Sequence, residues 1–219
     1  MLVRLNSIGQ SDRAANKHLM TTDAQKRPRA KKKTDAKPEP LRIFTIGHSN
    51  RPIEEFLRLL DVHAIKRVAD IRTIPRSRHN PQFNSDALSE SLRSAGIDYT
   101  RMKELGGLRH AKSDSINTGW KNASFRGYAD YMQTPEFAEG IASLIKLAAE
   151  ETTAIMCAEA VPWRCHRSLV GDALVVRGID VDDILSATRA QPHTITSFAR
   201  VRGTEITYPG QVNLPLPAV

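Results

Sequence analysis

The stretch TTAIMCAEAVPWRCHRSLV, residues 152–170, decides the fold, because a strand pattern turns into a helix pattern within it. Its first six residues are β-branched or apolar and predict a buried strand. A helix is predicted to start at Pro162 or Trp163 and to run to Arg177. The polar residues between the two patterns lie at a strand-to-helix junction, which is typical of α/β proteins.

The same alternation of strands and helices extends in both directions from this junction. Strands are predicted at 42–46, 67–72, 97–102, 152–157 and 181–185, and helices at 52–60, 84–95, 124–133, 135–150 and 162–177. No hairpin turns separate these strands, so crossovers are expected to join them in parallel. The sequence therefore predicts a three-layer, Rossmann-like α/β fold. Its sheet is mostly parallel, has about five strands and carries helices on both faces.

Composition divides the chain of 219 residues into three parts. Residues 1–40 are polar and rich in lysine, which predicts a disordered basic leader. Residues 41–188 hold the predicted α/β domain. Residues 189–219 form a C-terminal extension, in which 194–198 and 205–208 predict a small hairpin ahead of a Pro-rich tail.

The positive charge of the chain is concentrated in the leader. The formal net charge is +8, and the ten basic and four acidic residues of the leader supply +6 of it. This distribution favours an anionic partner. A solubilising tail is the simpler interpretation of the leader, and contact of its lysines 31–33 with nucleic acid is the alternative. The chain has two cysteines and no apolar run near the roughly 18 residues of a membrane span. We therefore expect a cytoplasmic protein without membrane contact.

Polar side chains follow the predicted strands at their carboxyl ends, where open α/β sheets bind their ligands. Residues distant in sequence are therefore expected to meet at one edge of the sheet. The candidate catalytic residues are Asp70, Glu159, His166 and Cys157. The candidate substrate-binding residues are His48, Ser49, Asn50, Arg72, Ser77, Lys103, Gly106, Gly107, Cys165 and Arg167.

Acid–base or electrostatic catalysis on an anionic substrate is the chemistry that these residues favour most. Glu159, His166 and Asp70 are expected to act as acid or base. Arg72 and Arg167 are expected to bind the anion, because a guanidinium can clamp a phosphate or carboxylate with two hydrogen bonds.

A thiolate nucleophile and a metal centre are the two alternatives. The cysteine phosphatase loop needs an arginine six positions after its cysteine, and Trp163 stands six positions after Cys157. A zinc site would use the two cysteines and His166, with His48 as a further ligand. The spacing is not that of a standard zinc knuckle, so no cofactor is predicted and zinc stays an alternative. Each cysteine can equally be a small buried apolar residue.

Five motifs, in this order along the chain, carry a resemblance to a known family. They are Thr45-Ile46-Gly47-His48-Ser49-Asn50, Asp70-Ile71-Arg72 with Pro75-Arg76-Ser77, Leu105-Gly106-Gly107, Phe125-Arg126-Gly127-Tyr128-Ala129-Asp130-Tyr131-Met132, and Met156-Cys157-Ala158-Glu159 with Cys165-His166-Arg167. Over about residues 42–186 the chain resembles the Domain of Unknown Function 488 family. The resemblance implies a bacterial or archaeal α/β domain of the three-layer type and implies no particular activity.

Three hypotheses about function follow. The first is an enzyme, a hydrolase or transferase, that acts on a nucleotide, a nucleic-acid component or another phosphorylated or anionic small molecule. The second is a non-enzymatic module that binds nucleic acid or senses a ligand. The third is a thiol redox or zinc protein. The sequence leaves the oligomeric state open.

Overall fold

The computed structural model of the chain describes residues 40–210. The predicted leader, apart from Pro40, and the Pro-rich end of the extension lie outside these residues. The disorder of the leader and its contact with nucleic acid therefore stay predictions. Across residues 40–210, none of the helices has the length and apolar character needed to cross a membrane.

Strands and helices alternate through most of the described chain. In chain order the elements are β1 (Arg42–Gly47), α1 (Ile53–Val62), β2 (Arg67–Asp70), α2 (Ser85–Ser94), β3 (Asp98–Arg101), α3 (Ala123–Tyr131), α4 (Pro135–Glu150), β4 (Thr153–Cys157), α5 (Arg167–Val175), β5 (Asp180–Ser186), β6 (Arg189–Pro192), β7 (Arg200–Arg202) and β8 (Glu205–Thr207). Short 3-10 turns lie at Pro81–Phe83, Lys103–Leu105 and Pro162–Arg164.

Six strands form one sheet in the order β3-β2-β4-β1-β5-β6, and the first five of them are parallel. The predicted fold class, with a mostly parallel sheet, is thus confirmed. The sixth strand, β6, pairs antiparallel with β5 and comes from the segment that the sequence assigned to the extension. Its connection to β5 is Ala187-Thr188, which lacks the Asn-Gly or Asp-Gly signal of a tight hairpin, so the sequence pattern did not indicate it.

Helices cover both faces of the sheet, as predicted. Helices α1 and α2 pack on one face, and α3, α4 and α5 pack on the other. The central strand β4 shows why: Ala154 and Met156 point into the first core, while Ile155 and Cys157 point into the second. A strand buried on both faces must be apolar throughout, which explains the continuous apolar run that marked it in the sequence.

Two predicted element boundaries are wrong. The helix predicted from Pro162 or Trp163 begins at Arg167, because Cys165 is extended, with φ −133° and ψ 144°, and this interrupts the helical backbone. Cys165 and His166 therefore precede the helix. In the terminal hairpin, the strand that pairs with β8 is β7 at Arg200–Arg202 rather than residues 194–198.

A buried ionic cluster joins the segment after β6 to α5 and β5. The imidazole of His193 lies between two carboxylates, with Nε2 2.9 Å from Asp172 Oδ1 and Nδ1 3.2 Å from Asp183 Oδ2. The Tyr208 hydroxyl donates to the other oxygen of Asp172 at 2.8 Å. Burial lowers the pKa of His193, but the hydrogen bonds to Asp172 and Asp183 outweigh it and raise the pKa to about 9. The sequence offered no partner for His193.

The protonation of His193 predicts how stability changes with pH. The folded-state pKa is raised, so this contribution is complete below the ordinary histidine pKa of 6.5 and is lost as the pH rises through about 9. Between pH 7 and 9.5 the free energy of unfolding should fall by about 2–3 kcal/mol from this group. Urea unfolding at a series of pH values measures the fall, which His193→Gln should remove and His63→Gln should keep. Parallel curves for the wild type and His193→Gln would show that His193 is neutral in the fold.

Candidate functional site

The carboxyl ends of β2 and β4 are adjacent, and the chain leaves them in opposite directions. From β2 the chain continues to β3 on one side, and from β4 it passes β1 to reach β5 on the other. Such a switch point opens a crevice at the sheet edge and is the usual ligand site of open α/β sheets. A backbone hydrogen bond of 3.1 Å from Ile71 N to Met156 O holds the two ends together.

A cavity of about 390 Å³ occupies this crevice. Its floor is formed by Cys157, Cys165 and His166, and Phe125 and Leu108 supply apolar surface. Its remaining lining residues are Arg72, Thr73, Ile74, Gly107, Ser124, Ala158, Glu159 and Arg164. The convergence of strand ends expected from the sequence is therefore present at β2 and β4.

Three reactive side chains are clustered on the floor of the cavity. The Nδ1 atom of His166 is 3.8 Å from Cys157 Sγ and 3.6 Å from Cys165 Sγ, and the three atoms lie within 4.8 Å of one another. Neither cysteine forms a disulfide. Cys157 ends β4, whereas Cys165 and His166 directly precede α5, so the strand-to-helix junction brings them together.

The orientation of the His166 ring is fixed from both sides. Its Nε2 atom lies 3.1 Å from the carbonyl oxygen of Ile71, which can only accept, so Nε2 carries a proton and Nδ1 faces the two sulfurs. Gly107 packs against the ring, and a Cβ atom at that position would lie 2.3 Å from Nδ1. A glycine at 107 is therefore needed for His166 to stand here.

The two thiols share their protons unequally. The hydrogen bond from Cys165 holds the pKa of the Cys157 thiol well below its usual value, and His166 and Arg167 lower it further. The same hydrogen bond raises the pKa of Cys165. The first amide of α5, Arg167 N, donates to Cys165 Sγ at 3.5 Å and lowers the pKa of Cys165, but the opposing effects outweigh it. Of the two thiols, Cys157 is thus the one with the lower pKa.

Arg167 lies inside the protein rather than in the cavity, with 1% of its surface exposed. Its Nη1 and Nη2 atoms donate to the carbonyl oxygens of Glu159 and Ala160 at 2.7 and 3.1 Å, and Nε donates to Thr45 Oγ1 at 3.2 Å. The predicted anion-binding role does not fit this environment, because the guanidinium is enclosed. Arg167 instead fixes the loop that follows Cys157.

Asp70 is also enclosed, and its side chain is fully buried. Both of its oxygens accept from Arg72, and one also accepts from the Tyr99 hydroxyl at 2.8 Å. The predicted role as acid or base does not fit, since the carboxylate has no open face toward the cavity. Asp70 positions Arg72, which is 5% exposed and reaches the cavity wall.

His48 lies behind that wall and is neutral. Its Nδ1 donates to the carbonyl oxygen of Ser49 at 2.7 Å, so Nε2 accepts from Arg72 Nη1 at 3.2 Å. Burial lowers the pKa of His48, and the ring stacks on Phe83 at 4.2 Å between centroids. His48 is not among the residues that line the first cavity, and its Nε2 atom, the one it could offer to a metal, is occupied by Arg72.

A second cavity, of about 420 Å³, adjoins the first and shares Arg72, Ile74, Ala158 and Glu159 with it. The predicted binding residues that line it are His48, Ser49, Asn50, Arg72 and Ser77. Neither Lys103 nor Gly106 lines either cavity, although Gly107 beside them does. The predicted site is therefore divided between two cavities that meet at Arg72 and Glu159.

Sequence reasoning missed several of the lining residues. Arg164 and Leu108 lie on the first cavity, and Arg76 and Asn80 lie on the second. Arg164 ends a 3-10 turn and the other three stand in loops, where no periodic pattern shows which way a side chain points. Phe125 and Arg76 belong to motifs that carry the family resemblance, and this was the available signal for them.

The chain matches the family described as "Domain of unknown function DUF488" over residues 52–174. The chain belongs to this family. The part that matches contains every lining residue of the first cavity, from Arg72 to His166. β1, β5 and the segment after β6 lie outside it. Searches of curated proteins and of solved structures found no match.

The unequal thiols of this DUF488 protein predict a selective alkylation. At pH 7 iodoacetamide should modify Cys157 at least about tenfold faster than Cys165, because the thiolate is the reacting form. Peptide mass spectrometry after timed quenching measures both rates, and the chain unfolded in urea, where both cysteines should react alike, is the control. Faster modification of Cys165 would contradict the assignment.

Proposed function

We propose that this DUF488 protein is a hydrolase or transferase that acts on a small anionic substrate, with the Cys157 thiolate as nucleophile and His166 as its proton partner. One observation carries the proposal: two cysteine thiols and an imidazole lie together on the floor of a cavity at the switch point of the sheet, and neighbouring groups lower the pKa of one thiol, Cys157. Asp70 is bonded to Arg72, and Arg167 is bonded to loop carbonyl oxygens, so these two residues position the site and do not contact the substrate.

The chemistry follows from these two groups. Attack by Cys157 Sγ on a carbonyl or phosphoryl centre forms a bond to sulfur as the bond to the leaving group breaks. His166, when protonated, donates a proton from Nδ1 to the leaving group. In the second step, water or another acceptor attacks the same centre, the bond to sulfur breaks, and His166 takes the proton of the attacking group. Glu159, exposed on the cavity rim, is a further base for that step.

The charge around the two cavities supports an anionic substrate. Arg164 lies on the first cavity and Arg76 on the second, and both are exposed. Within residues 40–210 neither of them forms an ion pair with a carboxylate. Arginine suits phosphate and carboxylate groups, so nucleotides and other phosphorylated small molecules remain within the proposed substrate class.

Zinc binding by the same cluster is a second candidate, and a specific distance favours it. A tetrahedral ion with Zn–S near 2.3 Å and Zn–N near 2.0 Å needs a sulfur-to-nitrogen separation of about 3.5 Å. The observed separations are 3.6 and 3.8 Å. The hydrogen bond from His166 Nε2 to Ile71 O is also the usual support of a metal-bound histidine. Two cysteines and one histidine would leave a fourth position for water or substrate.

Activity and metal content together test the proposal. The purified chain is assayed with aryl esters and aryl phosphates, and its zinc content is measured per chain. Cys157→Ser should lower kcat at least about a hundredfold, and Cys165→Ala by about tenfold because alanine cannot donate a hydrogen bond to the thiolate. His63→Gln, remote from the cavity, serves as the control.

The outcomes separate the candidates. About one zinc per chain, lost together with activity in both cysteine variants, would favour the metal centre over the nucleophile. A thermal shift with phosphorylated ligands but no turnover would favour a ligand sensor. The proposed function would be overturned if the aryl esters and aryl phosphates are not turned over and the phosphorylated ligands give no thermal shift.

A further inference from the structure

We infer that His193 is a positioning residue for this site and acts through Asp183, Thr45 and Arg167 on the loop that follows Cys157. This loop, residues 158–164, forms one wall of both cavities. The link to the reactivity of Cys157 rests on the proposed function, whereas the link to the loop rests on hydrogen bonds alone.

We call the hydrogen-bonded path from His193 through Asp183, Thr45 and Arg167 to the loop the relay. Its first step is the pair of carboxylates that hold His193. Asp172 faces it from α5 and Asp183 from β5, and Tyr208 reaches Asp172 from the segment after β8. The backbone amide of Thr196 also donates to Asp172, at 3.1 Å. All three ionisable partners are buried, so the position of Asp183 depends on the cation beside it.

The second step passes through the hydroxyl of Thr45. This group donates to Asp183 Oδ1 at 2.5 Å and accepts from Arg167 Nε at 3.2 Å. One hydroxyl thus uses its donor toward the carboxylate and a lone pair toward the guanidinium. Thr45 is itself buried in β1, so water cannot replace either bond.

The third step joins Arg167 to the loop. Its two terminal nitrogens hold the carbonyl oxygens of Glu159 and Ala160. The loop passes so close to β1 that a Cβ atom at Gly47 would lie 1.7 Å from Glu159 O. Arg167 therefore fixes the backbone two and three residues after Cys157, on the wall that carries Glu159.

The charges of the relay form a closed set. The carboxylates of Asp172 and Asp183 balance the imidazolium of His193 and the guanidinium of Arg167, and the hydroxyl of Thr45 joins the two halves. Loss of His193 would leave Arg167 as the remaining cation among two carboxylates, which would draw the guanidinium away from the loop carbonyls. Thr45, Asp183 and His193 lie outside the residues that match the family, so this support comes from the flanks of the matched region.

Hydrogen exchange of the full chain tests the relay. The peptide covering 164–169 reports on it, because the amides of Cys165 and Leu169 are hydrogen-bonded next to the loop. Thr45→Val and His193→Gln should each raise its exchange rate at least about tenfold more than they raise that of α2, which lies on the opposite face of the sheet and reports the change in global stability. Thr153→Val removes a comparable buried strand hydroxyl, bonded to Glu151 O, and His63→Gln removes a comparable histidine; both should leave the peptide unchanged.

The pH profile of Cys157 alkylation is the second readout, which a merely structural role would not move. In Thr45→Val and His193→Gln the midpoint of this profile should rise by about one pH unit. The reason is that Arg167 no longer holds the loop, and its guanidinium charge no longer lies beside the Cys157 thiol. Thr45→Val keeps every charged group, so it carries the test even where His193→Gln does not fold.

An effect of His193→Gln with none from Thr45→Val would overturn the relay, because it would show that charge acts through space alone. Unchanged exchange in both variants would overturn it as well. The activity of Cys157→Ser is measured separately, so failure of the relay and failure of the proposed function give different results.

Discussion

The geometry of the site depends on one buried charge, the guanidinium of Arg167. A charged group enclosed in the protein must be hydrogen-bonded and balanced, since an unpaired one is costly. Arg167 meets this requirement by binding the loop carbonyls after β4 and the hydroxyl of Thr45 in β1. The same bonds set the path of the chain between Cys157 and Cys165, so the two thiols and His166 meet because the arginine is held where it is.

A second enclosed ion pair, Asp70 and Arg72, fixes the chain in a similar way after the neighbouring strand β2. Asp70 accepts from Arg72 and Tyr99, and Arg72 in turn holds the Phe83 carbonyl and the neutral His48. The two arginines that follow β2 and β4 are thus mainly structural. The charged side chains left at the first cavity, Glu159 and Arg164, are exposed at its rim, and we propose that the chemistry belongs to Cys157 and His166 on its floor. The exposed arginines at 76 and 164 supply positive charge at the rims.

The nucleophile and the zinc site are two uses of one arrangement. The nucleophile and the zinc site both need a deprotonated Cys157 and a His166 imidazole with a fixed tautomer. In either case the hydrogen bond from His166 Nε2 to Ile71 O fixes the tautomer. They differ in Cys165, which keeps its proton beside a thiolate but loses it to a metal. The family assignment places these residues in a DUF488 domain and leaves this choice to experiment.

Sequence patterns alone determined the layered α/β fold, its five parallel strands, and the strand ends at which Cys157 and His166 would meet. These follow from local rules, because hydrophobic period and turn residues act over a few positions. The tertiary structure alone decided that Arg167 and Asp70 are enclosed, that His193 lies between two carboxylates, and that α5 begins after His166. The partners of these groups, Thr45 for Arg167 and Asp183 for His193, are brought close by sheet register and helix packing, and burial of a charge depends on such neighbours rather than on its position in the chain.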